Sequence, residues 1–105
     1  MNPEIIGNAE LYHGDALEIL PTLPPGCADM LFADPPYGIT DCEWDITPNL
    51  VEMWDQFKHA GRNNCAYIFT STQPFATDLI NSNRAWFKYC IQDGETCLAQ
   101  VYNHR

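Results

Sequence analysis

Short apolar runs alternate with amphipathic segments along the chain, and this alternation predicts strands and helices in turn. The first run, Ala9 to His13, reads as a strand ending at Gly14-Asp15. Asp15 stands where it can cap a short helix over Ala16 to Leu20, in which Leu17 and Leu20 share a face and Pro21 acts as the stop. After a turn at Pro24-Pro25-Gly26, the segment Ala28 to Ala33 contains the unbroken apolar stretch Met30-Leu31-Phe32-Ala33. A run without polar alternation predicts a strand covered on both sides, as in a parallel sheet.

A loop from Gly38 to Ile46 precedes Thr47 and Pro48, which predict an N-cap followed by proline at the first helical position. That helix is expected to run to Ala60 and stop at Gly61, with Leu50, Met53, Trp54, Phe57 and Ala60 as its inner stripe. A third strand is expected over Ala66 to Thr70, then a helix from Pro74 with Phe75, Leu79 and Ile80 as its apolar residues, then a fourth strand over Phe87 to Ile91. From Gln92 to Arg105 the pattern decays into a Gly-Glu turn, a short apolar patch and a polar end. The sum is a three-layer α/β fold, a mostly parallel sheet with helices on both faces.

The 105 residues, 46% of them hydrophobic, are enough for a single domain with a modest core. Charge adds a constraint. Lys and Arg number 5 against 14 Asp and Glu, a formal net charge of -9. The basic residues Lys58, Arg62, Arg84, Lys88 and Arg105 form no cluster, although phosphate contacts supply most of the non-specific affinity for nucleic acid. The 5 cysteines (Cys27, Cys42, Cys65, Cys90 and Cys97) include no Cys-x-x-Cys pair, and the histidines show no ligand spacing, so no metal site is expected. Free thiols, no secretion-type leader and no apolar stretch of membrane-spanning length together predict a cytoplasmic protein.

The strongest chemical signal is Asp34-Pro35-Pro36-Tyr37, directly after an apolar strand. In a parallel sheet, ligands sit at the carboxyl ends of strands, and Asp15, Asp34 and the run from Thr70 to Gln73 all fall at such ends. An exocyclic amine on a nucleobase is a poor nucleophile because its lone pair is delocalised into the ring. A carboxylate and a carbonyl that both accept its N–H hydrogens draw the nitrogen toward pyramidal geometry. Asp34 can supply the carboxylate and Pro35 the carbonyl. Proline brings no competing N–H and stiffens the turn. Tyr37 offers a flat face for an extruded base.

Asp-Pro-Pro-Tyr after an apolar strand resembles the signature of the amino-group DNA methyltransferases. The resemblance extends over about residues 9 to 90: Leu11-Tyr12-His13-Gly14-Asp15 upstream, Ala28-Asp29-Met30-Leu31-Phe32-Ala33 leading into the motif, then Gly38, Trp44-Asp45 and Thr70-Ser71-Thr72-Gln73-Pro74-Phe75. The order is similar to the permuted, phage- and prophage-like group, in which the catalytic motif precedes the cofactor motif. This resemblance implies an incomplete Rossmann-like methyltransferase fold, with residues 1–90 a partial catalytic domain and 91–105 an aberrant or truncated tail. It implies S-adenosylmethionine as cofactor, double-stranded DNA as partner, and adenine as target because the first motif residue is Asp, with the cytosine amine, which goes mostly with Ser there, as the less favoured alternative. Asp34, Pro35, Pro36 and Tyr37 would be catalytic, with Asp15 and Asp34 beside the cofactor. Asp15 reads equally as a plain helix cap. Trp44 and Ser71 would line the base pocket, although packing on the core for Trp44, and capping the helix at Pro74 for Ser71 and Gln73, are the simpler readings.

The chain departs from the family in two respects. Among the glycines Gly7, Gly14, Gly26, Gly38, Gly61 and Gly94 there is no Gly-x-Gly to cradle S-adenosylmethionine, and no basic recognition segment is present. After Cys90 the Trp and Lys or Arg usual in the family do not follow. The expectation is therefore a fragment inactive alone, which binds DNA weakly and self-associates through an exposed sheet edge. Methylation of a protein glutamine amide is disfavoured, since that family carries Asn where Asp34 stands. A non-catalytic remnant that binds another protein is the competing reading.

Overall fold

The computed structural model describes residues 2–38, 47–94 and 96–104. Its elements are β1 (Glu4–Ile6), β2 (Ala9–Leu11), α1 (Ala16–Ile19) with a following 3-10 turn (Leu20–Thr22), β3 (Ala28–Ala33), α2 (Leu50–Ala60), β4 (Gly61–Thr70), α3 (Phe75–Ser82), β5 (Phe87–Asp93) and β6 (Thr96–Asn103).

The mostly parallel, Rossmann-like sheet expected from the sequence is not what forms. The main sheet has 4 strands in the order β3-β4-β6-β5 and is mixed. Only β3 and β4 pair in parallel, while β6 runs antiparallel to both β4 and β5. The physical reason lies in the connections. A parallel pair needs a crossover, which α2 provides between β3 and β4. A short turn at Gly94, whose φ is +61°, joins β5 to β6 and permits only an antiparallel return. The decaying segment after Gln92 thus contributes an interior strand. Its Ala99, Gln100, Val101 and Tyr102 are all buried. The strand expected over Ala9 to His13 also lies elsewhere: β2 pairs with β1 as a separate antiparallel hairpin. Gly7, with φ of +57°, supplies its turn.

Among the described residues, helices do not cover both faces. Register places Leu31 and Ala33 of β3, Tyr67 and Phe69 of β4, and Gln100 and Tyr102 of β6 on one side. That side carries the core with α2 and α3: Met53, Trp54, Phe57, Tyr67, Phe69, Phe75, Leu79 and Tyr102. The stripe expected for α2 is the one buried, but its N-cap is Asn49, whose side chain accepts from the Glu52 N–H, rather than Thr47. On the opposite side Met30 and Phe32 are 56% and 61% exposed, and Tyr89 and Ile91 are 58% and 45% exposed. The apolar run in β3 is therefore apolar on both faces but covered on one only among the described residues.

Trp54 sits at the centre of the core, its ring centroid 5.0 to 6.4 Å from those of Phe57, Tyr67, Phe69, Trp86 and Tyr102. Its indole N–H donates to Ser82 Oγ at 2.8 Å, which ties α3 to α2. Close packing extends to the start of β4. A Cβ on Gly61 would lie 2.1 Å from the Tyr67 hydroxyl. Burial pushes the Tyr67 phenol up to about 12, with the adjacent Cys65 thiol adding to the effect.

Gly61→Ala is expected to lower stability by about 1–3 kcal/mol through overpacking, seen as a lower urea midpoint. An unchanged midpoint would contradict the close approach. The uncovered sheet face predicts concentration-dependent self-association in sedimentation equilibrium, reduced by Phe32→Asn together with Tyr89→Asn. Identical association of that double variant would assign the contact to another surface.

Candidate functional site

Asp34 is the first residue after β3, and Thr70 is the last residue of β4. Because the parallel ladder pairs Ala33 with Phe69, Asp34 leaves β3 beside Thr70, which still pairs with Ala99 of β6. The Tyr37 hydroxyl reaches both. It donates to Thr70 Oγ1 at 2.6 Å and lies 3.1 Å from Asp34 Oδ1. The Thr70 hydroxyl in turn makes a short hydrogen bond to the same Asp34 Oδ1. Asp34 Oδ2 has no hydrogen-bond partner among the described residues.

Tyr37 is half-buried, with its ring centroid 5.7 Å from that of Phe75. Phe75 is 2% exposed, so the tyrosine is braced against the core. Burial raises the Tyr37 phenol above its ordinary range. The Thr70 hydrogen bond opposes that shift, and the Asp34 carboxylate adds to it.

Asp34 and the half-buried Pro35 and Pro36 border a cleft of about 900 Å3 between the edge of β3, α1 and α2. Leu17, Leu20, Leu31, Met53 and Phe57 make its walls apolar, and Asp15 is a further polar residue in its lining. The cleft thus has the character of a small-molecule site, mostly apolar with a few placed polar groups. Asp15 also accepts from the Leu17 N–H at 2.9 Å, which caps α1. The helix-cap reading of Asp15 is thus observed, and the same residue lines the cleft.

Ser71 does not join this group. It is 5% exposed and its hydroxyl donates to the side-chain carbonyl of Gln100, itself fully buried, in a short hydrogen bond. Gln73 takes the capping role: its side-chain oxygen accepts from both the N–H and the hydroxyl of Thr77 in the first turn of α3. Trp44 lies outside the described residues. The sequence reading placed Thr70 at a ligand-bearing strand end, as part of the run to Gln73, but did not single it out as the partner of Asp34. The available signal was its position: if β3 and β4 pair in parallel, the residue closing β4 stands next to Asp34.

No family model matches this chain, and no curated protein matches it.

The Ser71–Gln100 pair generates a stability prediction. Ser71→Ala leaves a buried amide oxygen without its donor and is expected to cost about 1–3 kcal/mol in urea unfolding. Pairing it with Gln100→Leu should cost less than the two single changes added together, because the double variant leaves neither polar partner stranded. Strict additivity would mean that the two groups do not act as a pair.

Proposed function

We propose that this cleft is the acceptor-amine site of an S-adenosylmethionine-dependent methyltransferase acting on the exocyclic amine of adenine in DNA. The carrying observation is the pairing of a tethered carboxylate at a strand end, Asp34, with one oxygen unpartnered among the described residues, and the Pro-Pro-Tyr turn beside the cleft.

In this reading Asp34 Oδ2 and the Pro35 carbonyl accept the two amine hydrogens. Both acceptors pull the nitrogen out of conjugation with the ring and localise its lone pair. As the nitrogen gains the methyl group it acquires positive charge, which the Asp34 carboxylate stabilises before a proton leaves. Tyr37 holds the extruded base by stacking. S-adenosylmethionine supplies the electrophilic methyl group when bound. The cleft fits only part of that molecule. The part of the cleft beside α1, lined by Asp15, Leu17 and Leu20, suits its adenosine moiety, and residues 34–37 are left to the target base. The chain has no closely spaced glycine pair to cradle the amino-acid end. Tight cofactor retention and efficient turnover are therefore not expected of these 105 residues alone.

A nucleoside titration followed by NMR tests the reading. Adenosine at millimolar concentration is expected to shift resonances of Asp15, Leu17 and residues 33–37, and Asp34→Ala to weaken that binding about tenfold through loss of a charge-assisted hydrogen bond. Absence of shifts in this region at tens of millimolar would remove the proposal, as would equal binding by Asp34→Ala. The second reading, a non-catalytic protein-binding fragment, draws on the uncovered apolar sheet face, which lies on the side of the sheet away from α2.

A further inference from the structure

A carboxylate that must present one oxygen to a substrate amine needs its other oxygen held. The carboxylate of Asp34 is solvent-exposed and follows a strand, so neither packing nor the ladder fixes it. Two hydroxyls converge on Oδ1 instead. The arrangement matches the bonding capacity of a threonine hydroxyl, which has one proton to give and lone pairs to accept. Thr70 gives its proton to Asp34 Oδ1 and accepts from Tyr37, whose oxygen is 2.6 Å away. The side chain is β-branched and closes a strand whose register is set by pairing with β3 on one side and β6 on the other, so the hydroxyl itself has little rotameric freedom.

We propose that Thr70 is the positioning residue of the site. Its single hydroxyl locks the Asp34 carboxylate by Oδ1 and the Tyr37 ring by its phenol, so that Oδ2 alone is presented to the amine. This rests on the adenine reading for the identity of the ligand, while the hydroxyl network stands on geometry alone. The residue acts through its two neighbours and touches no substrate. It also couples them: losing the hydroxyl removes the short bond to Asp34 Oδ1 and the 2.6 Å bond to the phenol together, leaving only the 3.1 Å contact between Tyr37 and Asp34.

The test uses Thr70→Val, which keeps the shape and removes the hydroxyl, and Thr70→Ser, which restores the hydroxyl on a smaller side chain. Thermal unfolding first establishes that both variants fold. In the first arm the Tyr37 phenol is titrated by ring 13C NMR. When the phenol ionises, the Thr70 hydroxyl can turn its proton to the phenolate and so opposes the upward shift; Thr70→Val should therefore move the titration to higher pH, and Thr70→Ser should return it to the wild-type value. In the second arm adenosine is compared with N6,N6-dimethyladenosine, whose amine has no hydrogen to donate. Wild type and Thr70→Ser should favour adenosine about tenfold, and Thr70→Val less than about twofold. A Thr70→Val protein with the wild-type phenol titration overturns the proposal, as does one with undiminished discrimination. If wild type binds neither nucleoside, the adenine reading falls, and the titration arm alone decides whether Thr70 holds the pair.

Discussion

The indole of Trp54 is the point on which the helical layer turns. It meets rings from its own helix, from β4, from β6 and from the segment before β5, and its N–H bonds to the end of α3. Aromatic pairs at these separations add to the stabilisation already gained from buried area. The consequence is directional. All of this packing is on one side of the sheet, so α2 is clamped against β4 and the cleft between α2 and the β3 edge keeps its shape. The opposite side receives none of it. Phe32, Tyr89 and Ile91 are left as apolar as core residues but in contact with solvent.

Local periodicity made most elements legible. The stripe Met53, Trp54, Phe57 and Ala60 is the buried face of α2, and the run ending at Ala33 is a strand with Asp34 at its carboxyl end. Pairing was not legible, because it is a relation between distant segments. β6 escaped notice for a specific reason. Its buried residues include Gln100, and a glutamine in a short run reads as an exposed position until its partner is known. That partner, Ser71, lies 29 residues earlier, and the same bond withdraws Ser71 from the cleft where the motif-based reading had put it. The helix start shifted for a local reason: both Thr47 and Asn49 are good caps, and Asn49 is the one whose oxygen meets a free N–H.

The site shows the same division. Asp-Pro-Pro-Tyr announced itself in the sequence because turn chemistry and a carboxylate coincide there. Thr70 was visible only as one member of a polar run at a strand end, since which residue of that run meets Asp34 depends on the neighbouring strand and its register. The parallel pairing of β3 with β4 converts two unrelated sequence positions, 36 residues apart, into one hydrogen-bonded unit. The mixed sheet leaves that pair intact, so the local geometry at Asp34 does not depend on whether the remaining strands are parallel.

The direction of β5 has an electrostatic consequence. Lying antiparallel to β6, which is itself antiparallel to β4, β5 ends at the same edge of the sheet as β3 and β4. Asp93, the last residue of β5, therefore shares that edge with Asp34, and both are exposed. Asp15 adds a third carboxylate in the cleft lining. The described basic residues are engaged or distant: Arg62 pairs with Asp29 at the amino ends of β4 and β3, and Lys58 lies over Trp86. The described carboxylates Asp15, Asp34 and Asp93 thus concentrate negative charge along this edge. A field of this sign favours cations over polyanions, and salt shortens its reach.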